Sequence, residues 1–185
     1  NKILAAIVFV FSLVVYIMTM APTTSFWDCG EFIATSVIMG VPHPPGTPFF
    51  LLLGNFFSQL PIFADTGARV NLISPIFSAF AVMFLYLIIV QLIEEWHGKA
   101  KTWLDFLITY GSAIIGALTF AFTDSHWFNA VESEVYSLST FFTSIVVWLI
   151  LKWDENSFHS NSIKYIILIS SCCFVLLLLG RIESF

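Results

Sequence analysis

Charge is what this sequence has least of. Of its 185 residues only 10% are charged, whereas 58% are hydrophobic and the mean hydropathy is +0.92. A soluble domain carries about 25% charge, so a water-soluble globule is excluded: the apolar surface exceeds what one core of this size hides. Lys and Arg number seven and stand singly against a net charge of −5, which excludes nucleic acid as a partner. Cysteine is as sparse. Cys29 and the adjacent Cys172 and Cys173 cannot build a disulfide framework. The sequence has no HExxH metal motif, no internal repeat and no low-complexity tract.

Apolar runs are what it has instead, and they predict an all-α polytopic membrane protein with residues 1–185 as one transmembrane domain. Runs approaching the roughly 20 residues of a span cover 3–22, 72–93, 107–123, 136–152 and 163–180. A sixth run, 47–63, carries Asn55, Ser58 and Gln59 between Pro48 and Pro61, and reads as a helix lying at the membrane surface. The first run has no small-x-small cleavage site before Pro22 and is expected to be a retained span. A chain that opens on Asn1-Lys2 and stops at Phe185 just after an apolar run reads as the N-terminal part of a larger protein.

Lysine placement chooses between five spans and six, because cytoplasmic loops keep Lys and Arg. With five, Lys2, Lys99, Lys101, Lys152 and Lys164 share one side, and only Arg69 and Arg181 lie across from them. Five spans are therefore expected, with the N-terminus cytoplasmic. That topology puts Asp28, Glu31, Asp65, Asp124, Glu132, Glu134 and Glu183 outside, so the periplasmic or lumenal face carries the net negative charge. Two outer loops follow, a long one at 23–71 and a short one at 124–135.

Asp28 and Glu31 stand three apart at the start of a short helix predicted over 30–39, within one turn of each other. They either cap that helix or serve as a base with its partner, holding an alcohol at head-group depth beside Trp27. His43-Pro44-Pro45-Gly46-Thr47-Pro48 is stiff. It is equally a plain turn and a shelf that holds His43 near a ligand phosphate. Arg69 either pairs with Asp65, four residues earlier, which local spacing slightly favours, or clamps a phosphate. Asp124, His126, Glu132 and Glu134 offer oxygen and nitrogen ligands, yet their number falls short of a site, so no cofactor is expected and a divalent metal is the weaker alternative. Four acids at one depth need a positive partner, which either Arg69 or a divalent ion would supply.

The string Asp28-Cys29-Gly30-Glu31-Phe32-Ile33-Ala34, followed by Gly40-Val41-Pro42-His43-Pro44-Pro45-Gly46-Thr47-Pro48, resembles the protein O-mannosyltransferase-like family once called DUF2723, which includes TMEM260. Arg69-Val70-Asn71-Leu72, Trp127 and Glu134-Val135-Tyr136-Ser137-Leu138 match in order. The resemblance implies an N-terminal module like that of GT-C glycosyltransferases, with membrane-surface helices in the first outer loop. It implies inverting transfer of a sugar, mannose above all, from a polyprenyl-phosphate donor to Ser or Thr hydroxyls of an exported protein. Asp28 would be the base and Glu31 its partner, and the likeness to metal-independent enzymes ranks Arg69 ahead of a metal ion beside the acids. From their own chemistry and placement, His43, Arg69, Trp127, Glu132 and Glu134 are the residues expected around the substrates. A Gly-rich, His-containing stretch expected near the fifth span is not evident in Leu179-Gly180-Arg181-Ile182-Glu183. The rival readings are a membrane transporter and a non-catalytic subunit of a membrane assembly.

Overall fold

The structure is a computed structural model and describes residues 1–43, 47–155 and 162–179. All regular elements within these segments are helical. Its elements are α1 (Lys2–Thr19), α2 (Cys29–Ile38), α3 (Pro48–Ser58), α4 (Thr66–Asn71), α5 (Ile73–His97), α6 (Trp103–Phe106), a π-helical turn (Leu107–Gly111), α7 (Ser112–Ala121), α8 (Asp124–Ala130), α9 (Val135–Glu155) and α10 (Ser162–Leu179).

Four stretches among the described residues are long and apolar enough to cross a membrane: Lys2–Thr19, Thr66–His97, Trp103–Ala121 and Val135–Asp154. They overlap the first four predicted runs. The fifth predicted span, 163–180, is helical over its described residues as α10 (Ser162–Leu179), but its described side chains cover only the shorter stretch Ile163–Val175, so it is not among the four. The 47–63 run is cut down to the 11 residues of α3. At 1.5 Å per residue that is about 17 Å, too little to cross a hydrocarbon layer of about 30 Å. Pro48 supplies the first helical position of α3, where a missing N–H costs nothing.

Helix α5 is the axis of the bundle, touching α1, α7 and α9, while α10 lies on α9. Small side chains let the backbones approach: Ala5 on α1, Ala79 on α5 and Ala113, Ala117 and Ala121 on α7 are all buried in one cluster. Tyr16 closes its end by donating its hydroxyl to the Ala121 carbonyl at 2.9 Å. On the other flanks, Ile3, Ile7, Val10 and Phe11 of α1 and Ile115 of α7 stay exposed, a surface suited to lipid.

A second cluster, Cys29, Phe32, Ile33, Phe50, Val70, Ile73 and Leu138, seats α2, α3 and α4 on the starts of α5 and α9. Gly54 of α3 makes that seat close, since a β-carbon there would come within 2.7 Å of the Ser36 β-carbon on α2. At the opposite end of the bundle, Lys2, Lys99 and Lys152 converge with Glu94, Glu95 and Asp154 on a cavity of about 520 Å³. Those three lysines therefore share one end, as their placement in the sequence predicts, and the first-loop acids occupy the other.

Candidate functional site

Asp28 immediately precedes α2 but its side chain makes no capping hydrogen bond. Among the described residues its carboxylate accepts no hydrogen bond, and His43 Nε2 lies 3.9 Å from its Oδ2. Glu31, in the first turn, does not cap either. Its two oxygens grip His43: the backbone N–H donates to Oε1 at 2.7 Å, and Nδ1 lies 2.7 Å from Oε2. The chain returns to make this contact because Met39 adopts a left-handed conformation (φ 52°) just past α2, and the Gly40 N–H closes the turn on the Thr35 carbonyl at 2.9 Å.

Asp28, Glu31 and His43 thus place one ligand atom each within 4.8 Å of one another. Their side chains remain 56%, 40% and 45% exposed, so the cluster is open to a substrate. The hydrogen bond from the His43 side chain, and then that from its backbone, lowers the pKa of Glu31. The same bond to Glu31 raises that of His43, with the Glu31, Asp28 and Glu134 charges adding to it.

Two carboxylates lie behind the cluster on the segment entering α9. Glu134 is only 8% exposed, and burial, then the charges of Glu132 and Asp28, push its pKa up to about 7 against the opposing Val135 N–H and His43. Glu132 is 3% exposed, and its Oε2 has no hydrogen-bond partner among the described residues. Between them, Ser133 donates to Asn71 Oδ1 at 2.5 Å.

Asn71 is the knot of this end of the bundle. It is fully buried at the end of α4; its amide donates to the Ala21 carbonyl at 2.9 Å and the Thr23 carbonyl at 2.8 Å, and its oxygen also accepts from the Cys29 thiol at 3.6 Å. One side chain thereby fixes the exit of α1, the start of α2 and the 131–134 segment relative to each other. Burial raises the pKa of that thiol, which suits a packing role. Sequence reasoning did not single out Asn71. The available signal was a lone amide directly ahead of a long apolar run, where a buried polar group must find partners.

The structure does not gather every predicted site residue. Arg69 spends its guanidinium on backbone carbonyls, from Nε to Phe63 at 2.6 Å, Nη1 to Ser58 at 3.1 Å and Nη2 to Ala64 at 3.3 Å. It forms no ion pair among the described residues, with Asp65 or with the acids. The i, i+4 pairing fails because Asp65 is the N-cap of α4, accepting from the Ala68 N–H at 3.1 Å and from the Thr23 hydroxyl at 3.3 Å. The partner that Asp28 and Glu31 meet is the His43 imidazole, and Arg69, the expected one, lies elsewhere.

Trp127 packs edge-on against Tyr16 and tilted against Phe122, on the flank of the α1–α7 core. His126, considered as a metal ligand with Asp124, turns inward instead, its ring 4.4 Å from that of Phe120. Burial lowers its pKa to about 4, so it is neutral. Pro44, Pro45 and Gly46 of the predicted shelf, and Gly180 to Glu183, lie outside the described residues.

Comparison with known proteins bears on this arrangement. Protein O-mannosyl-transferase tmem260 of Dictyostelium discoideum is 27% identical over 147 residues, 77% of this chain and 16% of the relative. Protein O-mannosyl-transferase TMEM260 of Mus musculus is 28% identical over 141 residues, 76% of this chain and 18% of the relative. The chain thus spans less than a fifth of the length of these relatives. No solved structure matches it. Residues 28–177, which hold every member of the cluster, match the protein O-mannosyl-transferase TMEM260 N-terminal domain, and over that span the chain belongs to this family.

Proposed function

We propose that this chain forms the acceptor-activating part of a membrane glycosyltransferase, which moves mannose from a polyprenyl-phosphate donor to Ser or Thr hydroxyls of exported proteins. The observation that carries the reading is Asp28: a carboxylate 56% exposed, accepting no hydrogen bond among the described residues, beside a histidine that a second carboxylate holds in place. A general base needs free lone pairs within reach of the hydroxyl it deprotonates. In this scheme the acceptor O–H gives its proton to Asp28. The oxygen bonds to the anomeric carbon of the sugar as the carbon–phosphate oxygen bond breaks on the opposite face, which inverts the centre. Glu31 fixes His43, and the buried Glu134 acts electrostatically on both Asp28 and His43.

Placement in the membrane supports the same reading. In this reading the end that gathers Lys2, Lys99 and Lys152 is cytoplasmic, as the charge rule for loops favours, and the cluster faces the periplasm or lumen. Phe26 and Trp27, 76% and 86% exposed, suit the head-group layer beside Asp28. Helices α2 and α3 would lie in that layer.

The test is reconstitution of the intact protein in liposomes with polyprenyl-phosphate mannose and a Ser/Thr peptide. One hexose added to the peptide, with inverted anomeric configuration, is the expected product. Absence of transfer together with solute flux across the same liposomes would replace this reading with a transporter.

A further inference from the structure

At the end of the bundle opposite the acidic cluster, the cavity of about 520 Å³ has the size of a ligand site, commonly about 300–1,000 Å³. It lies over the end of α5, between Lys2 of α1 and Trp148 and Asp154 of α9, with Gln91 and Glu95 of α5 and Lys99 of the next turn completing the wall. We propose that this cavity binds one phospholipid of the phosphatidylethanolamine type, whose headgroup carries both a phosphate and a primary ammonium, with an acyl chain laid along the groove between α1 and α9.

Charge complementarity selects the headgroup. Three lysines, Lys2, Lys99 and Lys152, share the lining with three carboxylates, Glu94, Glu95 and Asp154, so the charges cancel. Glu94 accepts from the Tyr110 hydroxyl at 3.0 Å. Lys2, Lys99, Glu95 and Asp154 form no ion pair among the described residues. A pocket for an anionic lipid carries an excess of Lys and Arg. Unpaired charges of both signs instead fit a zwitterion, its phosphate on Lys2 and Lys99 and its ammonium on Glu95 and Asp154. Gln91 adds an acceptor, since its Oε1 is buried without a hydrogen-bond partner among the described residues. A primary ammonium brings three N–H donors, which the quaternary ammonium of a choline headgroup lacks.

A track of aromatic rings makes the ligand a lipid and not a free headgroup. From Trp148 in the cavity wall, ring follows ring to Phe84 at 5.4 Å, Phe141 at 6.0 Å, Phe80 at 5.9 Å and Phe9 at 4.4 Å. These rings line the groove where α1 and α9 flank α5, and all five are half-buried, so each keeps apolar surface for an acyl chain to cover. From Gln91 to Phe80, α5 runs about 16 Å at 1.5 Å per residue. That is close to half of a hydrocarbon layer of about 30 Å, the depth of one leaflet. Trp96 and Trp103, 85% and 72% exposed near this end, suit the head-group level that the cavity would then occupy.

The experiment is native mass spectrometry of the intact, delipidated protein in detergent. It is titrated in parallel with phosphatidylethanolamine, phosphatidylglycerol and phosphatidylcholine of equal chain length. One phosphatidylethanolamine per chain is expected, held about tenfold or more tighter than either of the others. Glycerophosphoethanolamine, the same headgroup without acyl chains, should leave it bound at about tenfold excess. Lys2→Glu combined with Lys99→Glu should weaken binding by about tenfold or more. Glu95→Gln combined with Asp154→Asn should turn the preference toward phosphatidylglycerol, a gain that misfolding does not produce. All four side chains are exposed, so the fold tolerates these changes. No bound lipid, equal binding of the three lipids, displacement by the free headgroup, or an unchanged preference in either double variant overturns the proposal.

Discussion

Ser133 donates its hydroxyl to Asn71 across 62 residues of chain, at 2.5 Å, inside the protein. This contact and its three companions on Asn71 decide where the 132–134 carboxylates sit relative to Asp28. Asn71→Ala would leave the Ala21 and Thr23 carbonyls and the Ser133 hydroxyl without their partner. Each orphaned buried group costs about 1–3 kcal/mol, so Asn71→Ala should destabilise the protein by about 3 kcal/mol or more. Thermal unfolding in detergent reads this directly. A midpoint within a degree of the unsubstituted protein would show that the knot is dispensable.

Arg69→Lys keeps the charge but loses the fork that reaches three carbonyls at once. The expected result is a loss of about 1–3 kcal/mol in stability, with donor and acceptor KM moving together. Steady-state kinetics with each substrate varied in turn provide the check. A rise confined to donor KM would put Arg69 on the phosphate instead of on the 58–64 turn.

Acid should destabilise the fold through His126. The folded protein holds this residue neutral, with a pKa of about 4, against 6.5 for the free side chain. As pH falls, the unfolded chain takes up the proton first, so the stabilisation is complete above pH 6.5 and is lost progressively between 6.5 and 4. The full loss is on the order of 3 kcal/mol. Unfolding midpoints measured across that window should slope downward, and His126→Phe should remove the His126 part of the slope. An unchanged slope in His126→Phe would assign the acid sensitivity elsewhere.

Much of this architecture is readable from local pattern. The predicted helix 30–39 forms as Cys29–Ile38, and the three-residue spacing of Asp28 and Glu31 does put both acids at its start. Long apolar runs give the positions of α1, α5, α7 and α9 because lipid imposes one period and one length on each. What local pattern misses is tertiary. His43 reaches Glu31 only because the chain reverses at Met39, a residue with no glycine-like signature for φ 52°. Asn71 meets groups from three remote segments, which no period in the sequence announces. The i, i+4 rule misleads at Asp65 and Arg69 because the acid stands at the helix boundary, where a backbone N–H competes for it.

The account stands most directly on Asp28. Its side chain makes neither a cap nor any other hydrogen bond among the described residues, so Asp28→Asn keeps the shape and leaves the fold intact. The decisive measurement is the rate of mannose transfer by intact Asp28→Asn protein whose thermal midpoint matches the original. The account predicts a loss of at least about 100-fold, the usual consequence of removing a general base. Transfer at the original rate by that folded variant would contradict it.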